Sequence, residues 1–218
     1  LMAWRYASGI LLVLIVGIEI STHAQNQYPF QDPNLPVEER ISNILSLMTL
    51  EEKLACLGAT TAVRRLGIPD AGLTEGLHGL VRKSWGKLKE VPTTQFALAV
   101  GMAQTWDTAL IKRAGAVEGF EARYLTQSEK YRTPALIIWA PNADLARDPR
   151  WGRTEESYGE DPFLNGTMAT AFIKGLQGDD PRYWQAASLL KHFMANSNED
   201  NRIGSSSDFD ARLMREYY

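Results

Sequence analysis

Residues 135–162 read ALIIWAPNADLARDPRWGRTEESYGEDP, and the stretch changes character partway along. Ala135 to Ala140 is a continuous apolar run. A short unbroken run of this kind marks a strand buried on both faces, as in a parallel sheet. From Asn142 onward the chain turns polar, with Asn142 and Asp144 immediately beyond the strand. In barrels and open α/β sheets, ligands bind at the carboxyl ends of strands. This stretch therefore predicts both a strand and a site at its end.

The flanking segments predict an alternation. Upstream, Asp107 stands as the N-cap of a helix running to about Tyr124. Leu110, Ile111, Ala114, Val117 and Phe120 or Glu121 fall on its successive turns. Downstream, Phe163 to Leu176 reads as a second helix, with Gly175 and Gly178 punctuating its end. Ala187 to Phe193 (ASLLKHF) reads as a second buried strand, and it carries Lys191 and His192 at its end. A further helix starts near Asp208. Strand and helix in alternation define an α/β fold with parallel strands.

Toward the amino terminus, Val37 to Leu57 predicts two short helices. The second is opened by Thr49 with Glu52 three residues on, the spacing of a capping box. Cys56 on that helix reads as a small buried hydrophobe. Residues 25–36, with Pro29, Pro33 and Pro36, read as an extended lead-in. Residues 1–24 carry Arg5, an apolar run from Ile10 to Ile18, and small residues at Thr22 and Ala24. That is the layout of a secretory signal peptide, and the run is short of the roughly 20 residues of a membrane span. The expected location is secreted or periplasmic, with no stable membrane span once the signal is removed.

Composition narrows the function. The formal net charge is −3, so there is no basic footprint for nucleic acid. The single cysteine excludes a disulfide framework and a paired-cysteine metal or redox site. His23, His78 and His192 are scattered and form no HExxH pair. No phosphate loop, nucleophile elbow or metal-ligand cluster is present, and no cofactor is expected. What remains is a set of charged groups beside aromatics: Glu75 with His78, Trp85, the 144–153 segment with Trp151, and Lys191 with His192. Carboxylates accept from sugar hydroxyls and cations donate to them, while an indole face covers the apolar side of a pyranose. Such a set suits an oligosaccharide or glycoside.

The segment from Trp139 to Pro162 closely resembles the signature of glycoside hydrolase family 3, the exo-acting β-glucosidases and β-xylosidases. Glu75-Gly76-Leu77-His78-Gly79 resembles its first block and Leu190-Lys191-His192-Phe193 its second. Asp208 to Tyr217 resembles the helix entrance that follows. The resemblance spans residues 35–218. It implies the amino-terminal part of a (β/α)8 TIM-like barrel over residues 37–218, incomplete in this chain, with the sugar bound at the carboxyl end of the strands. It also implies roles: Glu75 accepts from distal hydroxyls, Arg153 grips neighbouring hydroxyls, and Lys191 and His192 orient the ring. His78 is a further candidate, with loop support as its alternative. Trp85 and Trp151 serve equally as core or as sugar platform. Asp144 reads as a buried salt-bridge partner. Arg147, Asp148, Arg150, Glu155, Glu156, Glu160 and Asp161 read as one solvated ion-pair network.

Retaining hydrolysis needs two carboxyl groups roughly 5–5.5 Å apart. In the resembled family the nucleophilic Asp comes from a later barrel strand and the acid/base Glu from a second domain. Both are expected downstream of Tyr218, so no catalytic residue is assigned within this chain. A branch that keeps a His–Asp acid/base on a glycine-rich loop after Lys-His-Phe is excluded, because Met194 to Arg202 has neither glycines nor a histidine. Glu75, where an Asp is the alternative, favours the xylosidase-like branch. The expectation is a retaining exo-β-glycosidase whose amino-terminal part alone is inactive and poorly soluble. The alternative is a truncated or degenerate secreted carbohydrate-binding protein without catalysis.

Overall fold

The sequence around Ile138 does form a strand, and two others flank it. The computed structural model describes residues 27–58, 60–81 and 91–218. The expected signal peptide and Trp85 lie outside these. The chain divides into two units, Leu1–Thr49 and Leu50–Tyr218. The sequence had placed its boundary at Val37.

In the first unit, helix α1 spans Val37–Leu47, with Glu38 and Glu39 in its first turn, where the helix dipole favours acids. The lead-in before it is not extended, contrary to expectation. Pro29–Gln31 forms a 3-10 turn with Phe30 buried. The turn is held because the Phe30 N–H donates to Asn43 (3.2 Å) and Arg40 Nε donates to the Phe30 carbonyl (2.8 Å).

The second unit opens with α2, Leu50–Ala55. Cys56, just past it, is half-buried rather than buried. Three strands then form one parallel sheet in the order β1–β2–β3: Leu73–Glu75, Ile137–Trp139 and Ala187–Ser188. Glu75 pairs with Trp139, and Ile138 with Ser188, so the strand ends are level. Helices α3 (Ala99–Ala103) and α4 (Thr108–Gln127) connect β1 to β2, and α5 (Pro162–Gln177) connects β2 to β3. The last helix, α6, spans Ala211–Glu216. These are three of the eight strands of a TIM-like barrel.

Both long helices start at aspartate caps. Asp107 accepts from the Leu110 N–H at 2.9 Å and Asp161 from the Leu164 N–H at 2.6 Å. Asp161 is thus a cap, not a member of a surface ion network. The face that α4 buries differs from the expected one. Ile111, Ala114, Gly115, Glu118, Gly119, Ala122 and Leu125 are buried, while Val117 and Phe120 are exposed. The reason is close backbone contact with α5. A Cβ on Gly115 would lie 2.3 Å from the Phe172 carbonyl oxygen, and one on Gly175 would lie 2.0 Å from that of Lys112. Side-chain hydrophobicity misplaced the seam because glycines make it. Gly175 is accordingly a packing contact inside α5; Gly178, with φ of 78°, caps its end.

The core gathers Ile111, Ala122, Ile138, Met168, Phe172 and Leu176. Strand β2 is not buried on both faces as expected: Ile138 is fully buried, but Trp139 is 37% exposed. The expected strand 187–193 is also shorter, with Leu189, Leu190 and Phe193 exposed. Its hydrogen bonding nonetheless carries on irregularly to Lys191, whose N–H reaches the Pro141 carbonyl (3.3 Å) and whose carbonyl accepts from Ala143 N–H (2.7 Å). That ladder delivers Lys191 to the strand ends. The last helix is capped by Asp210, which accepts from Leu213 N–H at 2.7 Å, two residues later than expected.

Candidate functional site

Glu75 is the last residue of β1, and Lys191 sits just past β3. Across the intervening strand, Lys191 Nζ donates to Glu75 Oε2 at 2.9 Å. The lysine side chain is 13% exposed and the glutamate's is 38%. Two residues distant by sequence therefore meet because parallel strands place their carboxyl ends at one level.

Arg153 approaches from the loop after β2. Its Nε and Nη2 donate to Glu156 Oε1 and Oε2 at 2.8 and 2.6 Å, a planar two-point pair. Glu156 also receives Asn142 Nδ2 at 3.4 Å. Burial pushes the Glu156 carboxyl up, but the Arg153 hydrogen bonds, with the charges of Arg153 and Lys191, hold it below the usual carboxylate range. The hydrogen bonds that Arg153 donates to Glu156 raise the arginine in turn. Glu156 is thus the partner of a site residue, not part of a solvated network. Of that expected network, the described residues keep an exposed Asp148–Arg150 pair, while Arg147 lies over the Tyr217 and Tyr218 rings.

His192 turns the other way. Its Nδ1 lies 2.7 Å from Asp144 Oδ2, and the Asp144 side chain is 3% exposed. A carboxylate can only accept, so Nδ1 carries the proton and Nε2 is left for another partner. The Asp144 backbone is fixed as well: its N–H donates to Asn142 Oδ1 (2.7 Å), and its carbonyl accepts from Ser157 Oγ (2.6 Å) and Asn165 Nδ2 (2.9 Å). Lys191, His192 and Asp144 border a cavity of about 340 Å³ that Tyr217 also lines. A more open groove of about 750 Å³ between α4 and α5, lined by Lys112, Thr167 and Lys174, lies on the outer helices away from the strand ends.

The His78 carbonyl accepts from the Phe96 N–H at 2.8 Å, a contact that supports the loop after β1. Trp151 is buried and its Nε1 donates to Glu199 Oε1 at 3.1 Å, so it is a core residue with a polar anchor, not an open sugar platform. Among the described residues no group of three or more His, Cys, Asp or Glu could hold a metal ion. No described helix is long and apolar enough to cross a membrane.

Beneath the loop that follows Glu75 lies a residue the sequence did not single out. Glu118 is fully buried, and neither carboxyl oxygen closes a hydrogen bond. A Cβ on Gly76 would sit 2.7 Å from its Oε2, so the carboxyl touches the backbone just after Glu75. Burial pushes its pKa up to about 9, opposed by the Gly79 N–H directed toward it and assisted by the charge of Glu121. The neighbouring Tyr158 hydroxyl is likewise buried and unpaired. A glutamate on a helix rich in other polar residues carries no sequence mark of burial.

Each carboxylate of the strand-end cluster already has a partner: Glu75 with the Lys191 ammonium, Glu156 with the Arg153 guanidinium, Asp144 with the His192 imidazole. The unused N–H groups of Lys191 and Arg153, the free Nε2 of His192 and the remaining lone pairs of Glu75 are donors and acceptors for a ligand dense in hydroxyls.

A parallel α/β barrel segment with paired carboxylates and cations at its strand ends is the class that this fold and site define. The chain matches the glycosyl hydrolase family 3 N-terminal domain over residues 40–213 and belongs to that family. It is 33% identical, over 98% of its own length, to a xylan 1,4-β-xylosidase of Xylanibacter ruminicola, of which it spans 25%. It is 38% identical, over 82% of its length, to thermostable β-glucosidase B of Acetivibrio thermocellus, spanning 23% of that protein. A solved β-glucosidase of Kluyveromyces marxianus in complex with glucose superposes with a TM-score of 0.69 at 31% identity, covering 82% of this chain and 20% of that one. The chain thus spans about a quarter of the length of the curated relatives it matches.

Proposed function

We propose that this chain supplies the amino-terminal barrel segment, and with it the sugar grip, of an exo-acting retaining β-glycosidase. The substrate is a β-xyloside or β-glucoside, and the product is the sugar released from the non-reducing end. The observation that carries this reading is the Lys191–Glu75 pair at 2.9 Å, set beside Arg153–Glu156 at the ends of parallel strands. Lys191 and Arg153 donate to ring hydroxyls, Glu75 accepts, and His192 presents Nε2 with its ring fixed by Asp144. Hydrogen bonds of this kind strengthen as the ring flattens toward an oxocarbenium-like transition state. The nucleophile and the acid/base belong to the portion of the relatives that this chain does not span. Names of both β-xylosidases and β-glucosidases among the relatives support the substrate class. The longer carboxylate of Glu75 narrows the room for a hydroxymethyl group and favours a xyloside.

The test is turnover of aryl β-xyloside and aryl β-glucoside by the full-length protein that carries this segment. Release of the aryl alcohol with a β-configured first product is expected, faster on the xyloside. An α-configured product would refute retention, and preference for the glucoside would refute the xyloside assignment. Binding of sugar without turnover would establish the second reading, a carbohydrate-binding protein. That reading draws on the fact that every carboxylate of the cluster is already paired.

The layout of residues 1–24 supports export across a membrane. Amino-terminal sequencing of the secreted or periplasmic protein is expected to begin at Gln25. Retention of residues 1–24 would overturn export by a cleaved signal.

A further inference from the structure

Glu199 lies on the loop after Lys-His-Phe, seven residues beyond His192 but far in sequence from Arg153. Its carboxylate nevertheless joins two segments. Oε1 accepts from Trp151 Nε1 at 3.1 Å and from Asn196 Nδ2 at 3.5 Å. Oε2 accepts from Arg202 Nη1 at 2.9 Å. On the same side, Arg153 Nη1 lies 3.9 Å from Oε1. The Glu199 side chain is 26% exposed and that of Arg153 is 19%. Both are partly withdrawn from solvent, where a charge pair is less screened than on the open surface.

The guanidinium of Arg153 is therefore flanked by two carboxylates with different tasks. Glu156 takes Nε and Nη2 in a close planar pair. Glu199 stands across from Nη1 at a distance that leaves both of its hydrogens unspent. A guanidinium held at one edge only can still swing about its long stem. A second negative charge beyond Nη1 limits that swing without closing a hydrogen bond on Nη1. The loop that carries Glu199 is itself held in an unfavourable shape: Ala195 and Asn201 have φ of 59° and 57°. Left-handed backbone at an alanine persists only where surrounding contacts over-determine it. Glu199 supplies several of those contacts, together with Ser207 Oγ on the Ala195 carbonyl at 3.2 Å.

We propose that Glu199 is a positioning residue for sugar binding: through Trp151 and Arg202 it ties the 194–202 loop to Arg153, and it holds the Nη1 edge of that guanidinium toward a ring hydroxyl. This rests on the glycosidase reading above. Glu199 touches no substrate in this role and acts through Arg153. Loss of its charge then weakens binding of the ground state and the transition state alike.

The experiment is steady-state kinetics of the full-length protein on an aryl β-xyloside, with Glu199→Gln, Trp151→Phe, Arg153→Ala and the double variant Glu199→Gln/Arg153→Ala. Glu199→Gln is expected to raise KM about tenfold with kcat changed less than about threefold. Trp151→Phe keeps an aromatic ring in the core and removes the indole donor. It is expected to raise KM about threefold, and it carries the test if Glu199→Gln fails to fold. In the Arg153→Ala background, Glu199→Gln is expected to add nothing, because the two act as one unit. Equal losses in both backgrounds, or a lowered melting temperature with KM unchanged, would show a purely structural role and overturn the proposal. If the wild-type protein binds and hydrolyses no β-glycoside, the glycosidase reading falls and Glu199's role falls with it. An active wild type with an unaltered Glu199→Gln variant overturns the Glu199 proposal alone.

Discussion

Glu156 and Glu118 are both withdrawn from water, and their surroundings move them in opposite directions. Glu156 meets the Arg153 guanidinium at two points and stays ionised below the usual range. Glu118 lies under the Gly76 backbone with no hydrogen bond closed, and its pKa is pushed up to about 9. Depth of burial does not separate them as clearly as partnership does. At the strand ends Glu75 and Glu156 each have a cation in reach, so charge is retained there. One layer down, between α4 and the loop after β1, no cation among the described residues is in hydrogen-bonding reach of Glu118, and burial keeps its carboxyl neutral at pH 7.

The largest effect that would break this contrast is on stability. Because the folded-state pKa of Glu118 is raised, an unfolded chain ionises first as pH rises above 4.5, and the wild-type protein loses stability from there until about 9. Glu118→Gln removes this linkage. It is expected to stabilise by about 3 kcal/mol at pH 7, and to gain little at pH 4.5. Urea unfolding of both proteins across that range checks it. A wild-type stability that is flat from pH 5 to 9 would mean that Glu118 has a partner.

Lys191→Ala tests the other side. It leaves Glu75 at the strand end without its cation and removes a donor to the sugar. A loss of about 100-fold in kcat/KM of the full-length enzyme is expected, of the order of one charged hydrogen bond. Unchanged kcat/KM would show that the pair is a structural tie only. Glu156→Gln keeps the shape but discharges the Arg153 pair, and about a tenfold rise in KM is expected. Glu156→Gln with wild-type KM would separate Arg153 from the site.

The smallest effect marks the limit of the comparison. Asp148 is partly exposed beside the open Arg150 side chain, and its hydrogen bonds from Arg150 hold its pKa down to about 2. A low pKa on an open surface is no sign of worth, since solvent screens the pair. Asp148→Asn is expected to leave the melting temperature and KM unchanged. A lowered melting temperature together with a raised KM would place Asp148 inside the working cluster.

Much of the scaffold was readable from the chain. The apolar run around Ile138 and the aspartates Asp107 and Asp161 announce β2, α4 and α5, although only Asp107 was read as a cap. Lys191 is readable as a polar group at a strand end, Glu75 and Arg153 only through the family resemblance, and parallel register then brings Lys191 and Glu75 together. Less readable was β1, whose three residues give no periodicity. The inward face of α4 was misjudged because Gly115 and Gly119, which a hydrophobicity pattern ignores, form its seam with α5. Glu156 and Glu199 were hidden for another reason. In a run dense with acids and bases, sequence cannot say which carboxylate finds which cation. Only the fold brings Glu199 to Trp151 and Arg153.

A crystal structure of the full-length protein soaked with xylose would show whether the strand-end cluster grips a sugar. Ring hydroxyls are expected within hydrogen-bonding distance of Lys191 Nζ, of Glu75 Oε1 or Oε2, and of Arg153 Nη1. A sugar bound elsewhere, with the Lys191–Glu75 and Arg153–Glu156 pairs closed and untouched, would contradict that grip.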